Sequence, residues 1–512
     1  MSYDVVIVGG GSAGCVLASR LSEDPERSVL LLEAGPDYRS LEELPEDIAK
    51  AAFAPASHDW GYAAEPDAYG TRVNLPRGKI IGGSSSTNYC FAMRARPADY
   101  AAWVDAGNEA WSYEDMLPFY KAMESSPFGE DRWHGRIGPY KMSRFEMDDL
   151  SPAAAATIRA GGALGYPLVD DVNAPDVPGF GLSPLSAVDG IRQSTAVTYL
   201  NPVRDRANLE VRGDTLVDKV LFDGNRATGV QLAEGSVVEA GHVVVSSGTY
   251  NTPSILMRSG VGPAEHLKSL GIDVVVDAPG MGQNLMEHPV MFNLYAAHPP
   301  VGELGAMYQI VLSVKTDDSE EVDYDLQLCP TGVVPTEALP ASFVEPVDNH
   351  PTGWDMIMFA SCIQPTSRGS VRLASADAGD APIIDIGLYK DPRDAEKVAE
   401  AVRVARRLTQ TSPLKELIHS ERAPGPQVAD EDLAEAVRRA PSHYNHASGT
   451  AKMGPESDPL AVVDPRCAVH GTQNLSVVDA SIFPTIPRVP INPATIVTAE
   501  RAMTFLIERL SS

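Results

Sequence analysis

The sequence predicts an α/β fold, and three observations support this assignment. An apolar run at Val5–Val8 leads into a glycine-rich turn, a helical pattern and a second apolar run at Val29–Leu32. Two further strand-like runs, Val243–Val245 and Leu475–Val478, also lead into turns of small residues. Strands that each end in such a turn are typical of a sheet that binds a ligand along its carboxyl edge.

The turn after the first strand has the pattern G-x-G-x-x-G, with its glycines at Gly9, Gly11 and Gly14. Gly9 allows a tight turn, Gly11 lets the backbone approach a pyrophosphate, and Gly14 lets the helix pack closely on the sheet. The helix that starts near Ser12 offers free N–H groups and the positive end of a dipole to a phosphate. Because a strand precedes the motif and a helix follows it, the sequence predicts a dinucleotide site here.

Glu33 ends the second apolar run, about twenty residues after the motif. Its carboxylate can accept hydrogen bonds from a ribose 2′-hydroxyl. It would repel a 2′-phosphate, which argues against an NADP-type cofactor. These residues alone do not separate NAD from FAD, because both present an ADP moiety to the motif.

Composition and charge narrow the class of protein. A chain of 512 residues is too long for one core and predicts two or more domains. The net charge of −28 argues against nucleic acid or an anionic membrane as a partner. The five cysteines include no C-x-x-C pair, so we predict neither a disulfide framework nor a metal site.

The N-terminus predicts a cytoplasmic protein. The first strand begins within a few residues of Met1, which leaves no room for a signal peptide. No apolar run is long enough to span a bilayer.

The middle of the chain differs in character from its two ends. Residues 290–390 mix proline, glycine and alternating strand-like runs, while Ala395–Gln410 and Asp430–Arg439 have helical patterns. The pattern predicts a discontinuous cofactor domain with a second domain inserted into it. The predicted cofactor domain comprises residues 1–150, 190–290 and 440–512, and the predicted substrate domain comprises residues 151–189 and 291–439.

Six ordered blocks resemble the glucose–methanol–choline (GMC) family of flavoprotein oxidoreductases, and the resemblance runs from end to end of the chain. The blocks are the N-terminal glycine motif, Arg77–Asn88, Ser247–Pro263, Pro279–Pro289, His446–Gly454, and Val477–Ser481 followed by Asn492 and Pro493. The resemblance implies FAD rather than NAD. It also implies a Rossmann-like FAD-binding domain with an inserted substrate-binding domain built on an antiparallel sheet with helices, so that the whole chain is α+β.

The resemblance further implies a set of residues along the FAD. These are Gly9, Gly11, Ser12 and Gly14 at the pyrophosphate, Glu33 and Ala34 at the adenosine ribose, Gly83, Asn88, Tyr89, Cys90, Phe91 and Ala92 along the pyrophosphate and ring, Val217 at the adenine, Asp479 and Ala480 at the ribityl chain, and Asn492 and Pro493 at the pyrimidine end. At Thr87 some members of the family have a histidine that bonds covalently to the flavin. Threonine cannot form that bond, so we predict noncovalent FAD.

The implied activity is oxidation of an alcohol (CH–OH) to an aldehyde or ketone, with hydride transfer to flavin N5. His446 occupies the position of the family's catalytic histidine, and an unperturbed pKa of about 6.5 suits a general base. Asn492 matches the second residue of the catalytic pair, and its amide can orient the substrate oxygen without titrating. The sequence does not identify the electron acceptor, which could be oxygen, a quinone or a carrier protein. It therefore does not distinguish an oxidase from a dehydrogenase.

Two other uses of the same scaffold stay open. An FAD-bearing lyase could keep the histidine, whereas a light-driven decarboxylase has no hydroxyl to deprotonate and is less compatible with His446 and Asn492. A cofactor-binding protein without catalysis would not need that pair.

The remaining signals concern the surroundings of His446. We expect His443 either in the substrate cavity or in a turn, and His134, His288 and His470 as structural residues. Asn445 stands where many family members have an aromatic residue, which predicts a more polar or roomier site.

The run Asp323–Leu328 alternates like a strand with one polar face. Its acidic side chains could bind a cationic substrate such as choline. We favour a solvated face.

Overall fold

The structure is a computed structural model of the chain, and it describes residues 2–51, 54–55, 57–175, 178–300, 308–316, 323–339 and 350–511. Within these ranges the α-helices are Ser12–Leu21 (α1), Glu46–Ala49 (α2), Pro97–Asp105 (α3), Tyr113–Met123 (α4), Pro152–Ala163 (α5), Gly248–Arg258 (α6), Ala264–Ser269 (α7), Pro392–Thr409 (α8), Leu433–Arg439 (α9) and Ile491–Leu510 (α10).

The strands of the first half are Ser2–Val8 (β1), Val29–Leu32 (β2), Tyr62–Ala63 (β3), Asn74–Leu75 (β4), Glu124–Ser125 (β5), Tyr140–Lys141 (β6), Phe180–Leu182 (β7), Ala187–Val188 (β8), Ile191–Arg192 (β9), Leu209–Arg212 (β10), Val217–Asp223 (β11), Arg226–Leu232 (β12) and Val237–Val245 (β13). Those of the second half are Val261–Gly262 (β14), Val276–Asp277 (β15), Pro289–Ala297 (β16), Ile310–Val314 (β17), Leu326–Pro330 (β18), Val334–Pro335 (β19), Trp354–Cys362 (β20), Ser370–Arg372 (β21), Ile383–Asp385 (β22), Ile418–Ala423 (β23), Ser442–His443 (β24) and Leu475–Val477 (β25).

A seven-stranded sheet contains the two strands that flank the glycine motif. Its order is β10-β2-β1-β13-β12-β11, and β25 also pairs with β13. The pairings among β10, β2, β1, β13 and β25 are parallel, whereas β11, β12 and β13 form an antiparallel meander. Strands β1 and β2 are joined through α1, which packs on both of them and on α10. This βαβ unit confirms the predicted Rossmann-like α/β fold.

An eight-stranded sheet forms the second layer of strands. Its order is β23-β16-β20-β18-β17-β7, with β19 on β20 and β24 on β16, and all of these pairings are antiparallel. Helix α8 packs across β16, β18 and β20. The predicted antiparallel sheet with helices is therefore confirmed, while the residue ranges of the two domains stay a prediction.

Helix α8 begins three residues before the start of the predicted helical run. The side chain of Asp391 accepts a hydrogen bond from the backbone N–H of Arg393 (2.9 Å), and Pro392 occupies the first turn. A capping aspartate followed by proline is a typical start of a helix.

The solvated face predicted for Asp323–Leu328 is wrong. Asp325 is fully buried, and its carboxylate accepts hydrogen bonds from the N–H (3.0 Å) and hydroxyl (2.9 Å) of Thr316. Asp323 pairs with the guanidinium of Arg96 at 2.9 Å. The reason is topological, because β18 lies between β17 and β20 inside the sheet and is covered on both faces. Both carboxylates are therefore engaged by residues of the protein and do not support the binding of a cationic substrate.

Across the described ranges, no helix combines the length and the apolar character that crossing a bilayer requires.

Candidate active site

Four strands of the parallel part of the first sheet end at the same level. The register pairs Val8 with Leu32 and with Val245, and Val245 in turn with Val477. The segments that follow these strands therefore meet at one edge of the sheet. They are the glycine motif, the segment from Glu33, the turn from Ser246 to Gly248, and the turn at Asp479 and Ala480.

The glycine motif is packed too tightly for side chains at two of its contacts. A Cβ at Gly14 would clash with the carbonyl oxygen of Gly9, so this glycine lets α1 lie close to the end of β1. Gly83 has a φ of +50°, and a Cβ there would lie 2.7 Å from the Cα of Gly11. The loop Gly82–Ser85 is thus placed directly on the motif, with the N–H of Gly82 donating to the carbonyl of Gly10 at 2.6 Å.

The start of α1 has the features of a phosphate site. No side chain caps the helix at Gly11. The nearest protein atom to a Cβ built on Gly11 is the Cα of Gly83, 4.0 Å away, so the backbone at Gly11 is not tightly covered on this side. Uncapped N–H groups at a helix start, reached through a glycine, are the arrangement that binds a pyrophosphate. The residues present therefore fit the ADP moiety of FAD.

Glu33 lies beside the motif with its carboxylate held in place. Its two oxygens accept hydrogen bonds from the N–H groups of Gly10 (2.8 Å) and Gly35 (2.9 Å). Burial raises the pKa of this carboxyl to about 7. Its backbone carbonyl accepts from the N–H of Thr215 (2.8 Å), which brings the start of β11 at Val217 to the same end of the site. Glu33 and the start of β11 thus lie close together, and the assignment of Glu33, Ala34 and Val217 to the adenosine end of FAD stays a prediction.

Asp479 follows β25 at the same edge of the first sheet and accepts three hydrogen bonds there. Its carboxylate accepts from the N–H of Gly248 (2.8 Å), the hydroxyl of Thr252 (2.6 Å) and the N–H of Ser481 (2.7 Å). Burial raises the pKa of this carboxyl as well. The next residue, Ala480, accepts at its carbonyl from the N–H of Gly449 (3.0 Å), which ties the loop that follows His446 to the edge of the sheet.

The segment Asn88–Ala92 follows the loop on the motif. Asn88 caps its own turn by accepting from the N–H of Cys90 (2.9 Å), and Cys90 has a left-handed φ of +62°. Arg192 donates to the carbonyl of Asn88 and to Sγ of Cys90. These bonds fix the backbone conformation of the segment. The side chains of Tyr89 and Phe91 are partly accessible.

His446 lies among three aromatic or titratable neighbours. Its Nδ1 is 2.9 Å from Nδ1 of His288, with the two rings nearly perpendicular at 89°. The ring of Tyr444 lies at 5.5 Å, and the backbone N–H of His446 donates to Glu287 Oε1 at 2.6 Å. Burial lowers the pKa of His446 well below its ordinary value, and the neighbouring His288 adds to the effect. The ring is therefore neutral at pH 7.

Glu287 is the buried anchor of this cluster. Its Oε1 also accepts from the N–H of His288 (2.9 Å), while its Oε2 lies 3.5 Å from Nδ1 of His443 and 3.8 Å from the guanidinium of Arg77. Burial opposes the charged carboxylate, but the His443 and Arg77 contacts prevail and lower its pKa to about 2. One ionised side chain thus fixes the backbone of both His288 and His446.

Asn492 lies in the first turn of α10, beside the start of α1. Its Oδ1 accepts from the hydroxyl of Ser12 (2.7 Å), and its Nδ2 donates to the hydroxyl of Tyr140 (3.4 Å). Among the described contacts, none joins Asn492 to His446. The joint action of His446 and Asn492 at one catalytic site therefore stays a prediction. Asn492 and Pro493 lie on the side of the phosphate turn, and His446 on the side of the second sheet.

The other predicted positions are readily placed. Nε2 of His443 donates to the carbonyl of Asn74 at 2.9 Å, and Nε2 of His470 donates to the carbonyl of Gly454 at 3.0 Å. His134 is buried between Glu124 (2.8 Å) and Asp171 (2.7 Å), as expected of a structural histidine.

Asn445 has a φ of +63°, and the left-handed backbone at this position explains an asparagine better than an aromatic residue. Its Oδ1 is buried without a hydrogen-bond partner, so this oxygen does not add polarity to an open site.

Sequence reasoning missed the role of His288. It lies in the block Pro279–Pro289, and we predict it to be structural, yet its ring contacts the His446 ring directly. The only signal in the sequence is the block itself, since the contact joins residues 158 positions apart. Among the described residues, no group of three or more His, Cys, Asp or Glu side chains is placed to hold a metal ion.

Comparisons with known proteins agree with this geometry. Residues 3–290 match the N-terminal and residues 365–499 the C-terminal family model described as GMC oxidoreductase. The chain is 37% identical over 513 residues to an uncharacterized GMC-type oxidoreductase in the thcA 5′ region of Rhodococcus erythropolis, covering 98% of both chains. It is 34% identical over 525 residues to an oxygen-dependent choline dehydrogenase of Sinorhizobium fredii, covering 98% of this chain and 95% of that one. Among solved structures, pyridoxine 4-oxidase from Mesorbium loti superposes with a TM-score of 0.89 at 34% identity, covering 99% of each chain.

Proposed function

Because the chain belongs to the GMC oxidoreductase family and is an FAD-dependent alcohol oxidoreductase, we propose that it converts an alcohol (CH–OH) to an aldehyde or ketone with His446 as general base. One observation carries this proposal. The His446 ring is neutral, and its loop is tied through Gly449 to Ala480 at the cofactor edge of the sheet. A neutral imidazole beside a dinucleotide site is suited to take a proton from a substrate hydroxyl.

The proton of that hydroxyl passes to Nε2 of His446 in this proposal. The other ring nitrogen, Nδ1, is engaged with His288, so Nε2 is the nitrogen left for the substrate. Removing the proton raises the electron density on the carbinol oxygen and helps its carbon to release a hydride. Asn492 would orient the same oxygen through its amide, because an amide offers both a donor and an acceptor.

FAD would lie along the edge of the first sheet, with its pyrophosphate at the start of α1. Gly9, Gly11, Ser12 and Gly14 would hold the pyrophosphate, and Glu33 would accept hydrogen bonds from the adenosine ribose. When bound, FAD supplies the flavin N5 position that accepts the hydride from the carbinol carbon. Asp479, Ala480 and the segment Asn88–Ala92 would enclose the remainder of the cofactor.

The FAD is proposed to be bound noncovalently. Thr87 follows the loop Gly82–Ser85 at the position where a histidine link is found in some family members, and a threonine hydroxyl does not form that link. Denaturation of the yellow holoenzyme followed by filtration should release the flavin into the filtrate. Colour that stays with the chain would contradict this proposal.

The electron acceptor is proposed to be oxygen, a quinone or a carrier protein. The name of the S. fredii relative includes oxygen-dependent, which makes oxygen the first acceptor to test.

The test of the proposed function is the absorbance of the bound flavin under anaerobic conditions, before and after addition of a panel of alcohols. Bleaching by one class of alcohol is the expected result, and readmission of air then tests oxygen as acceptor. A bound flavin that catalyses release of a product while staying oxidised would instead indicate a lyase, and bleaching or turnover only under light would indicate a decarboxylase.

A further inference from the structure

The side chains of Ser12 and Asn492 join two helices that begin beside the predicted cofactor site. Ser12 is the first residue of α1, Asn492 lies in the first turn of α10, and the Ser12 hydroxyl donates to Oδ1 of Asn492 at 2.7 Å. We propose that Ser12 is a positioning residue for the oxidation, because its hydroxyl holds the Asn492 amide with an N–H towards the substrate oxygen. This proposal rests on the proposed function and specifies how Asn492 takes part in it.

Packing between α1 and α10 fixes the backbone of Asn492. Further along the two helices, Arg20 makes a bidentate contact with Glu500 at 3.0 and 2.8 Å, and Tyr199 donates to the same carboxylate at 2.8 Å. The spacing from Ser12 to Arg20 equals that from Asn492 to Glu500, so the helices run parallel and begin side by side. The backbone of Asn492 therefore does not depend on Ser12, which orients only its side chain.

The contacts of the Asn492 amide distinguish its oxygen from its nitrogen. The separation of 2.7 Å from the Ser12 hydroxyl is typical of an O–H···O hydrogen bond, whereas N–H···O bonds are usually about 2.9–3.0 Å long. The amide oxygen therefore faces Ser12. On its other side Nδ2 donates to the hydroxyl of the buried Tyr140 at 3.4 Å. Nδ2 carries two protons, and among the described contacts only one of them is used.

The substrate oxygen needs a hydrogen-bond donor when the alcohol reacts. Transfer of the hydroxyl proton to His446 leaves negative charge on the carbinol oxygen, and a fixed N–H beside that oxygen stabilises the charge. The oxygen of the same amide would repel it. An unrestrained asparagine can present either end, because rotation about its last side-chain bond exchanges oxygen and nitrogen. The bond from Ser12 selects the orientation that presents the N–H.

The contact also separates two roles of Ser12. Its backbone N–H lies at the start of α1, where no side chain caps the helix and where the pyrophosphate is predicted. Its hydroxyl is engaged by Asn492. In this arrangement the N–H serves the cofactor and the hydroxyl serves Asn492. Loss of the hydroxyl should therefore lower the rate of the FAD-loaded enzyme and leave its affinity for FAD unchanged.

A double-mutant cycle in the holoenzyme tests the proposal. Rate constants for anaerobic flavin reduction at saturating alcohol are compared for the unmodified protein, Ser12→Ala, Asn492→Ala and the double variant. Ser12→Ala should slow reduction about 2- to 10-fold, which is the effect of one neutral hydrogen bond. It should cause no further loss when Asn492 is already alanine. Additive losses would show that Ser12 acts independently of Asn492 and would overturn the proposal.

Further variants identify the hydroxyl as the responsible group. Ser12→Thr keeps a hydroxyl and should retain the rate. The matched control Ser28→Ala removes a serine hydroxyl that bonds to Asp4 at 2.7 Å, at the opposite end of β1 and β2, and should leave the rate unchanged. If Ser12→Ala fails to fold, Tyr140→Phe removes the other partner of the amide and takes its place in the cycle. Equal rates in Ser12→Ala and Ser12→Thr would overturn the proposal.

FAD affinity and the structure of the holoenzyme separate this proposal from the proposed function. Weaker binding of FAD by deflavinated Ser12→Ala, with an unchanged rate once FAD is loaded, would assign the hydroxyl to the cofactor and overturn the proposal. A crystal structure of the holoenzyme needs no turnover. The Ser12 hydroxyl on Asn492 would support the proposal, and the hydroxyl on the pyrophosphate would overturn it. Failure of every alcohol to reduce the unmodified flavin would contradict the proposed function, and the crystal structure would still decide whether Ser12 holds Asn492.

Discussion

Nδ1 of His288 lies 2.9 Å from Nδ1 of His446, so the two imidazoles share one hydrogen bond. Burial lowers the pKa of His288 to about 4, so its ring is neutral at pH 7 and carries one proton. Nε2 of His288 is buried without a hydrogen-bond partner among the described residues, and a general base at Nε2 of His446 requires Nδ1 of His288 to accept the shared hydrogen bond. His446 must donate from its Nδ1, which leaves a lone pair on its Nε2. We infer that His288 holds His446 in the tautomer that a general base requires.

His446→Ala should slow flavin reduction by roughly a hundredfold or more, because loss of a general base typically has an effect of this size. The measurement is the rate constant of anaerobic flavin reduction at saturating alcohol. His470→Ala is the matched control, since the His470 side chain bonds only to the Gly454 carbonyl among its described contacts. Reduction of the His446→Ala flavin at the unmodified rate would exclude His446 as the base.

His288→Leu should slow flavin reduction about 10- to 100-fold, by analogy with other partners that orient a functional histidine. The leucine removes the acceptor for Nδ1 of His446 and leaves its tautomer unfixed. A readout that packing alone would not change is the pH profile of reduction, which should shift with loss of a neighbouring imidazole. His288→Asn, which restores a side-chain acceptor, should recover part of the rate. Equal rates in the Leu and Asn variants would point to a packing role instead.

The first sheet is largely readable from the sequence because its signals are local. The run Val5–Val8, the spacing of the glycines and the run Val29–Leu32 all lie within one βαβ unit, and they form β1, α1 and β2. Helix α8 is also local, since Asp391 and Pro392 mark its start.

The parts that were missed depend on contacts between distant segments. Asp325 has the polarity of a solvated strand residue, and only the position of β18 inside the sheet buries it. The contact of Ser12 with Asn492 joins residues 480 positions apart, and that of His288 with His446 joins residues 158 apart. Composition and periodicity describe each segment alone, so they cannot say which segments meet.

Glu33→Gln should weaken FAD binding about tenfold or more, since a hydrogen bond to a charged group contributes roughly 1.5–3 kcal/mol. Both carboxylate oxygens accept backbone N–H groups, from Gly10 and Gly35, and an amide can accept with only one of its two ends. The measurement is FAD titration of the deflavinated protein by fluorescence quenching. Glu26→Gln, at an exposed position between α1 and β2, is the control. Flavin reduction in the reconstituted variant should keep its rate.

The same carboxyl should make FAD affinity depend on pH. Burial raises the pKa of Glu33 to about 7, so the carboxylate that accepts from the ribose is present above that pH and lost below it. The affinity of the unmodified protein should fall between pH 8 and pH 6, whereas that of Glu33→Gln should change little, because the amide does not titrate. Parallel pH profiles for the two proteins would show that another group is responsible.

The rate of flavin reduction should stay constant as the pH falls towards 6. Burial lowers the pKa of His446 well below its ordinary value of about 6.5, so the neutral, proton-accepting ring persists under mildly acidic conditions. An exposed histidine base would lose half of the rate near pH 6.5, whereas the buried ring should lose it only at a lower pH, as its own pKa is crossed. The measurement is stopped-flow reduction at saturating alcohol from about pH 5 to pH 9 at constant ionic strength. An acid limb with its midpoint at or above pH 6.5 would mean that His446 titrates as if solvated, and the buried base would then be the wrong description of this site.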